Sequence, residues 1–223
     1  MPPKVSTLTA EASTEDRQRA ADILQNAFAN DVAMLDMAGG DPALANLFYG
    51  AWVNAALLEG TVDVVYVDEG STTQPAFQGV AIWFGPGVEM LGSERQLRAG
   101  WNDVSQRFPL ELSNWWKNEF PPQLTVCENF TGNVHTSGWY LALLAVDPDH
   151  QHKGLGAALL QHGFARVDGD QVPAVLECEP WNKEFYARFG CEVKGSLQVR
   201  GPTKTWSSSA LRREPRSPIA RAL

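Results

Sequence analysis

AVDPDHQHKGLGAALL, residues 145–160, leaves an apolar run through an acidic-proline turn, passes Gln151 and Lys153, and enters a helix through Gly154-Leu155-Gly156. Two glycines within three residues weaken a helix start by about 1 kcal/mol each relative to alanine once they are helical. A chain that accepts this needs its backbone close to something, either another part of the protein or a phosphate-bearing ligand. In a strand–turn–helix of this kind the free amides of His152, Lys153, Gly154, Leu155, Gly156 and Ala157 converge, and the helix dipole favours an anion there. A tight turn with close helix–sheet packing is the alternative, and the residues alone leave both readings open. Two better-known phosphate loops are excluded. Lysine precedes the glycines, against the order of a P-loop, and position 159 is leucine where a dinucleotide fingerprint has its third glycine.

Around this stretch the periodicity sets the remaining elements. WYLALLAV (139–146) reads as a strand with no polar alternation, so both of its faces are expected to be buried. The helix after the glycines covers roughly 154–168, with Ala157, Leu160, Phe164 and Val167 on one face. VPAVLECE (172–179) is the next strand; Pro180 and Asn182 open a short helix that Gly190 ends as a left-handed cap. CEVKGSLQVR, the turn Gly201-Pro202 and TKTWSSSAL then form a hairpin. In the N-terminal half a strand over 4–9 precedes a helix over 14–30, begun at Ser13 or Thr14, and an apolar helix over 41–58. TVDVVYV (61–67) and FQGVAIWF (77–84) form a hairpin through the turn residues DEGS. A helix over 93–120 carries Trp101, Phe108, Trp115, Trp116 and Phe120, and Pro121-Pro122 ends it. The order implies one mixed α/β domain over 1–211, followed by an arginine- and proline-rich tail, 212–223, expected to be disordered.

A net charge of −8 argues against nucleic acid, whose binding needs a basic face, and suits a cationic substrate. Cys127, Cys178 and Cys191 are odd in number and lack metal or CxxC spacing, so they read as reduced thiols of a cytoplasmic protein with no metal. No signal-peptide core opens the sequence and no run reaches the ~20 apolar residues of a membrane span.

The pattern strand, Gln151-x-x-Gly154-x-Gly156, helix, followed by Glu177, Asn182 and Tyr186, resembles the coenzyme A site of the GNAT superfamily of acyl-CoA-dependent N-acetyltransferases. WYLALLAVDPDHQHKGLG, VPAVLE and N-x-x-FY-x-R-x-G (182–190) are most similar to its puromycin N-acetyltransferase-like members. The resemblance covers about 139–190, and over 1–138 it extends little beyond element order. It implies a mostly antiparallel central sheet, flanked by helices, with one splayed parallel pair of strands. It implies acetyl-CoA as co-substrate, its pantetheine arm against the backbone of Leu144, Ala145 and Val146. Its phosphates would lie on Gln151, His152, Lys153, Gly154, Leu155, Gly156 and Ala157, with Asn182 and Tyr186 completing the site. Tyr186 would be the general acid toward the leaving thiolate.

Glu177 interrupts an apolar strand, which suits a base for the attacking amine, an attractor for a cation, or a buried ion-pair partner; Glu179, on the same face, is its rival. The acceptor expected is a small primary amine, attacking the thioester directly. The alternatives are a non-catalytic acyl-CoA-binding sensor and a protein or peptide N-acetyltransferase. A homodimer is compatible with these readings. His135 could approach the acceptor pocket, and the Trp-rich 101–120 stretch suits either core or a flat amine.

Overall fold

The computed structural model describes residues 3–67 and 76–217. Strand β1 (Lys4–Leu8) leads to α1 (Thr14–Ala27), which Ser13 starts by accepting the Asp16 amide at 3.0 Å. Helix α1 stops three residues short of its expected end. A further helix, α2 (Val32–Met37), follows because Asp31 accepts the Met34 amide at 2.8 Å and so caps it. Helix α3 (Pro42–Glu59) starts at Asp41-Pro42; it is apolar nearly all round and buried accordingly. Strands β2 (Thr61–Tyr66) and β3 (Gly79–Phe84) pair antiparallel as expected, and the DEGS turn between them lies outside the described residues.

The single helix expected over 93–120 is several pieces. Helix α4 (Glu94–Gln96), a wide turn with Gly100 at φ 143°, and α5 (Asn102–Ser105) come first. The chain then breaks at Pro109 before α6 (Leu110–Asn114) and a second wide turn, Trp115–Glu119. Pro121-Pro122 opens α7 (Phe120–Thr131) instead of ending the helix before it. Proline is tolerated in a first turn because the missing N–H has no helical partner there. Helix α8 (Val134–Ser137) then feeds β4 (Trp139–Val146), α9 (Leu155–Asp170), β5 (Ala174–Cys178), α10 (Lys183–Ala187), β6 (Glu192–Arg200) and β7 (Thr205–Arg213).

The seven strands form one sheet in the order β1-β2-β3-β4-β5-β7-β6, antiparallel throughout except for β4 with β5. One face carries α1, α3 and an aromatic cluster; the other carries α9. Register shifts between Ile82↔Leu143 and Trp83↔Leu141, so Ala142 is the extra residue of a bulge in β4. The bulge switches the pleat. Trp139 and Leu141 pack on the α9 face, whereas Leu143 and Ala145 pack on the α1 face.

Three expectations change in detail. Strand β4 alternates buried and half-buried residues instead of being buried throughout, because β5 pairs only with Trp139 and Tyr140. On α9 the buried face is Leu155, Leu159, Leu160, Gly163, Phe164 and Val167, and Ala157 is only half-buried. Strand β7 runs on to Arg213, past the expected start of the tail at 212, and Arg216 donates its amide to Asp168 at 2.8 Å. Residues 218–223 lie outside the described residues.

Candidate active site at the fork of two strands

Strands β4 and β5 pair at Trp139↔Ala174 and Tyr140↔Val175, and nowhere further. Beyond that point they separate, leaving Leu141–Val146 without a partner on the β5 side. The bulge at Ala142 sits next to the point of separation, where its extra twist bends β4. Leu144, Ala145 and Val146 thus line an open fork.

At the open end the chain makes the turn Pro148–His150 and then places His152 at φ 60° and Gly154 at φ 82°. Both are left-handed; a non-glycine residue there is uncommon. The first amide in the ladder of α9 is that of Ala158, bonded to the Gly154 carbonyl at 3.0 Å. The amides of Leu155, Gly156 and Ala157 therefore have no acceptor within the helix, and among the described residues no side chain caps this terminus.

The two glycines do not serve helix–sheet packing. A Cβ on Gly154 would meet nothing within 4 Å; one on Gly156 would make ordinary contact, 3.5 Å from Phe185 Cζ and 3.8 Å from Val146 Cγ2. Close packing of α9 on the sheet occurs at Gly163 instead, where a Cβ would fall 2.4 Å from the Trp83 ring. Of the two readings of the motif, the open approach fits Gly156 better. Gln151 and Lys153 are exposed and tied to their own turn: Gln151 Nε2 donates to the Val146 carbonyl at 3.2 Å, and Lys153 Nζ to the Asp149 carbonyl at 3.0 Å.

Tyr186 lies on the α9 face of the fork, 9% exposed, packed in one cluster with Leu141, Leu176 and Phe164. Burial, then the neighbouring Cys178 and Cys191, hold its phenol well above the ordinary range, so the hydroxyl keeps its proton. Asn182 ends a 3-10 turn, Pro180–Asn182, ahead of α10 and is exposed. Only Lys183–Ala187 is α-helical, so the helix expected to open at Pro180 and Asn182 begins after them.

Glu177 points to the opposite face, as strand alternation against Leu176 and Cys178 requires. It is not alone. His135 Nε2 lies 2.8 Å from Glu177 Oε1, and Tyr140 stands close by: burial, then the Glu177 charge, hold its phenol well above the ordinary range. The Tyr140 and His135 rings are 4.7 Å apart. Glu179, just after β5, stands near Asp31 of the loop before α2; burial and then the Asp31 charge push its carboxyl up to about 7.

Sequence reading missed the partners of Glu177. Tyr140 was hidden inside an apolar run, and His135 lies 42 residues from its carboxylate. The aromatic group reads as core. Trp101, Phe108 and Trp116 ring Phe48, and the indoles of Trp115 and Trp116 donate to the carbonyls of Arg200 and Met37 at 2.7 and 2.9 Å. Among the described residues no group of three or more His, Cys, Asp and Glu side chains is arranged to hold a metal, and no helix is long and apolar enough to cross a membrane.

Known proteins resemble this chain in sequence over part of its length and in fold over nearly all of it. Residues 124–192, from α7 to the first residue of β6, match the acetyltransferase (GNAT) domain. An uncharacterised N-acetyltransferase of Schizosaccharomyces pombe is 26% identical over 141 residues, which span 62% of this chain and 57% of that relative. The described fold is that of GNAT acetyltransferases. A structure from Corynebacterium glutamicum, described as histone acetyltransferase HPA2 and related acetyltransferase, superposes with a TM-score of 0.64 at 22% identity, over 98% of this chain and 99% of its own. A mosquito arylalkylamine N-acetyltransferase-like protein gives 0.64 at 12% identity, and a Drosophila melanogaster polyamine N-acetyltransferase gives 0.61 at 14%. Each alignment covers 96% of this chain and 100% of the other.

Proposed function

We propose that this protein is an N-acetyltransferase that transfers acetyl from acetyl-CoA to a small primary amine by direct attack on the thioester. One observation carries the reading: the fork of β4 and β5 separates a buried phenol on one face from a hydrogen-bonded carboxylate on the other, beneath a helix start with three free amides.

Leu144, Ala145 and Val146 would hold the pantetheine arm through their free strand edge. Gln151, His152, Lys153, Gly154, Leu155, Gly156 and Ala157 would hold the phosphates, and Asn182 would complete the site. Bound there, acetyl-CoA supplies an acyl group on a thiol leaving group. Glu177 accepts one proton from the ammonium of the substrate, so the nitrogen lone pair is free to form the new C–N bond as the C–S bond breaks; the excess proton this leaves on nitrogen passes to the released thiolate. Tyr186 then donates a hydrogen bond to the departing thiolate. Its role is that of a donor and not of a full acid. An ordinary phenol is already about 1.5 pK units weaker than a thiol, roughly 2 kcal/mol. Burial of Tyr186 widens that gap.

A second base is supported by position: Glu179 follows Glu177 by two residues on the same face, and burial with the Asp31 charge raises its carboxyl toward the range where a general base works best. For the acceptor, the likeness to a polyamine and an arylalkylamine N-acetyltransferase, with the net charge of −8, supports a cationic small amine. The puromycin N-acetyltransferase-like reading of 139–190 supports an antibiotic or xenobiotic amine, and the three unpaired cysteines fit a reducing cytoplasm.

The test is thiol release from acetyl-CoA across an amine panel that includes puromycin, polyamines and arylalkylamines. Release is expected with at least one amine. Tyr186→Phe should lower kcat about 10²-fold or more with CoA affinity nearly unchanged. Tight CoA binding without release on any amine would establish the sensor alternative.

A further inference from the structure

We propose that His135 and Tyr140 are positioning residues for the proton-accepting group. They hold the Glu177 carboxylate at the fork, and protonation of His135 switches that carboxylate off. The proposal rests on the reading in which Glu177 takes the amine proton.

The three side chains come from three elements, α8, β4 and β5, and meet where β4 and β5 part. A carboxylate can only accept, so the 2.8 Å contact places a hydrogen on His135 Nε2. That fixes the tautomer and leaves Nδ1 as the one ring atom able to take a further proton. His135 is 8% exposed, and its Nδ1 is buried with no hydrogen-bond partner among the described residues. The Tyr140 ring packs on the imidazole, and its phenol stands near enough to Glu177 for the carboxylate, after burial, to hold it well above the ordinary range. Glu177 is the more open partner of the ion pair, with 18% of its side chain exposed. The proton leaves the substrate ammonium for Glu177, and the nitrogen keeps the electron pair.

The charges around His135 are acidic. Glu177 faces it from β5, Glu128 from α7 and Glu89 from the loop after β3, with the neutral Tyr140 phenol beside it on β4. Cys127 of α7 also stands near Glu177, and burial keeps its thiol protonated, pushed up to about 12. Burial alone would lower the basicity of His135; the Glu177 hydrogen bond and charge, then Glu128 and Glu89, outweigh it and raise the imidazole above its ordinary value. As pH falls through that raised value Nδ1 gains its proton. Glu177 then faces a full imidazolium and becomes a weaker proton acceptor. The acidic limb of kcat/KM therefore belongs to His135, and lies well above the carboxylate value of about 4.3.

The experiment is the pH profile of His135→Gln with the best amine of the panel. Glutamine keeps an N–H donor but cannot be protonated, so the acidic limb should move down by at least about one pH unit, with a reduced plateau. Tyr140→Phe should lower kcat and leave the limb in place. A folded, active His135→Gln enzyme with an unmoved limb overturns the proposal. Should the variant fail to fold, ¹⁵N NMR titration of wild-type His135 decides: an Nε2–H tautomer titrating above 6.5 is expected, and titration below 6.5 overturns it. Glu177→Gln separates the two levels. Normal turnover and an intact limb there would remove the underlying base reading, and this proposal with it. A Glu177→Gln defect beside an unmoved His135→Gln limb would remove this proposal alone.

Discussion

Gly156 and Gly163 lie on one helix, α9, and are small for different reasons. At Gly163 the protein itself needs the space, since a Cβ would enter the Trp83 ring at 2.4 Å. At Gly156 the nearest atom to a Cβ is Phe185 Cζ at 3.5 Å, which is ordinary contact. Alanine therefore fits Gly156 in the protein but stands beside the free amides that would receive a phosphate. Gly156→Ala should keep or slightly raise stability, by up to about 1 kcal/mol from helix propensity. At the same time CoA affinity should fall about tenfold or more, because the loop backbone can no longer approach the anion. Gly163→Ala should lose stability instead. Thermal melting with calorimetric CoA titration reads both properties. Unchanged CoA affinity in Gly156→Ala would return the loop to the status of a plain turn.

Among the elements, α2 was invisible in the sequence, yet it is latched firmly. Asp36, 2% exposed, accepts from the Thr203 amide at 3.1 Å and the Lys204 amide at 3.0 Å, and also from the Thr203 hydroxyl. These bonds tie α2 to the turn between β6 and β7. Asp36→Ala should lower stability by about 2–3 kcal/mol, the scale of hydrogen bonds to a charged group, read as the urea midpoint. Loss below about 0.5 kcal/mol would mean that water replaces the carboxylate at the exposed turn. The latch could not be read from the sequence, because Asp36 and Thr203 lie 167 residues apart and a lone aspartate resembles a surface acid. The β4–loop–α9 unit was legible for the opposite reason: its apolar run, its turn and its helical spacing are all local. The pieces from α4 to α7 were not, since proline marks a helix start as well as an end and only tertiary contacts decide which. The candidate site divides the same way. Its loop and Tyr186 stand in contiguous motifs, whereas the partners of Glu177 are brought to it by the sheet and α8.

On the scale of the whole molecule, the fork can stay open only if β5 is held from its other side. Strand β7 lies between β5 and β6 and does this with a full antiparallel ladder, Ala174↔Arg213 to Cys178↔Ser209. Arg213, at the end of that ladder, is buried and pairs with Asp168 of α9 through Nη1 at 2.8 Å and Nη2 at 3.1 Å. Its Nε donates to the Phe189 carbonyl at 3.1 Å, and its guanidinium stands 4.5 Å from the Phe164 ring centre. One side chain thus joins β7, α9 and the turn after α10, on the same face of the sheet as Tyr186. Burial alone would raise the Asp168 carboxyl, but the Arg213 hydrogen bonds, the Arg216 amide and both guanidinium charges lower it. A carboxyl depressed on folding contributes stability that is present above its unfolded value of about 3.9 and is lost as pH falls through the folded value. Arg213→Ala should therefore cost about 3 kcal/mol at pH 7, where it leaves Asp168 charged and without its main partner. Below about pH 4 the gap between wild type and variant should narrow, because a protonated Asp168 has little left to lose. Chemical denaturation at pH 7 and pH 3 measures both gaps. A gap that stays constant with pH would assign the contribution of Arg213 to its packing on Phe164, and an absent gap at pH 7 would show that the β7 ladder holds β5 without the ion pair.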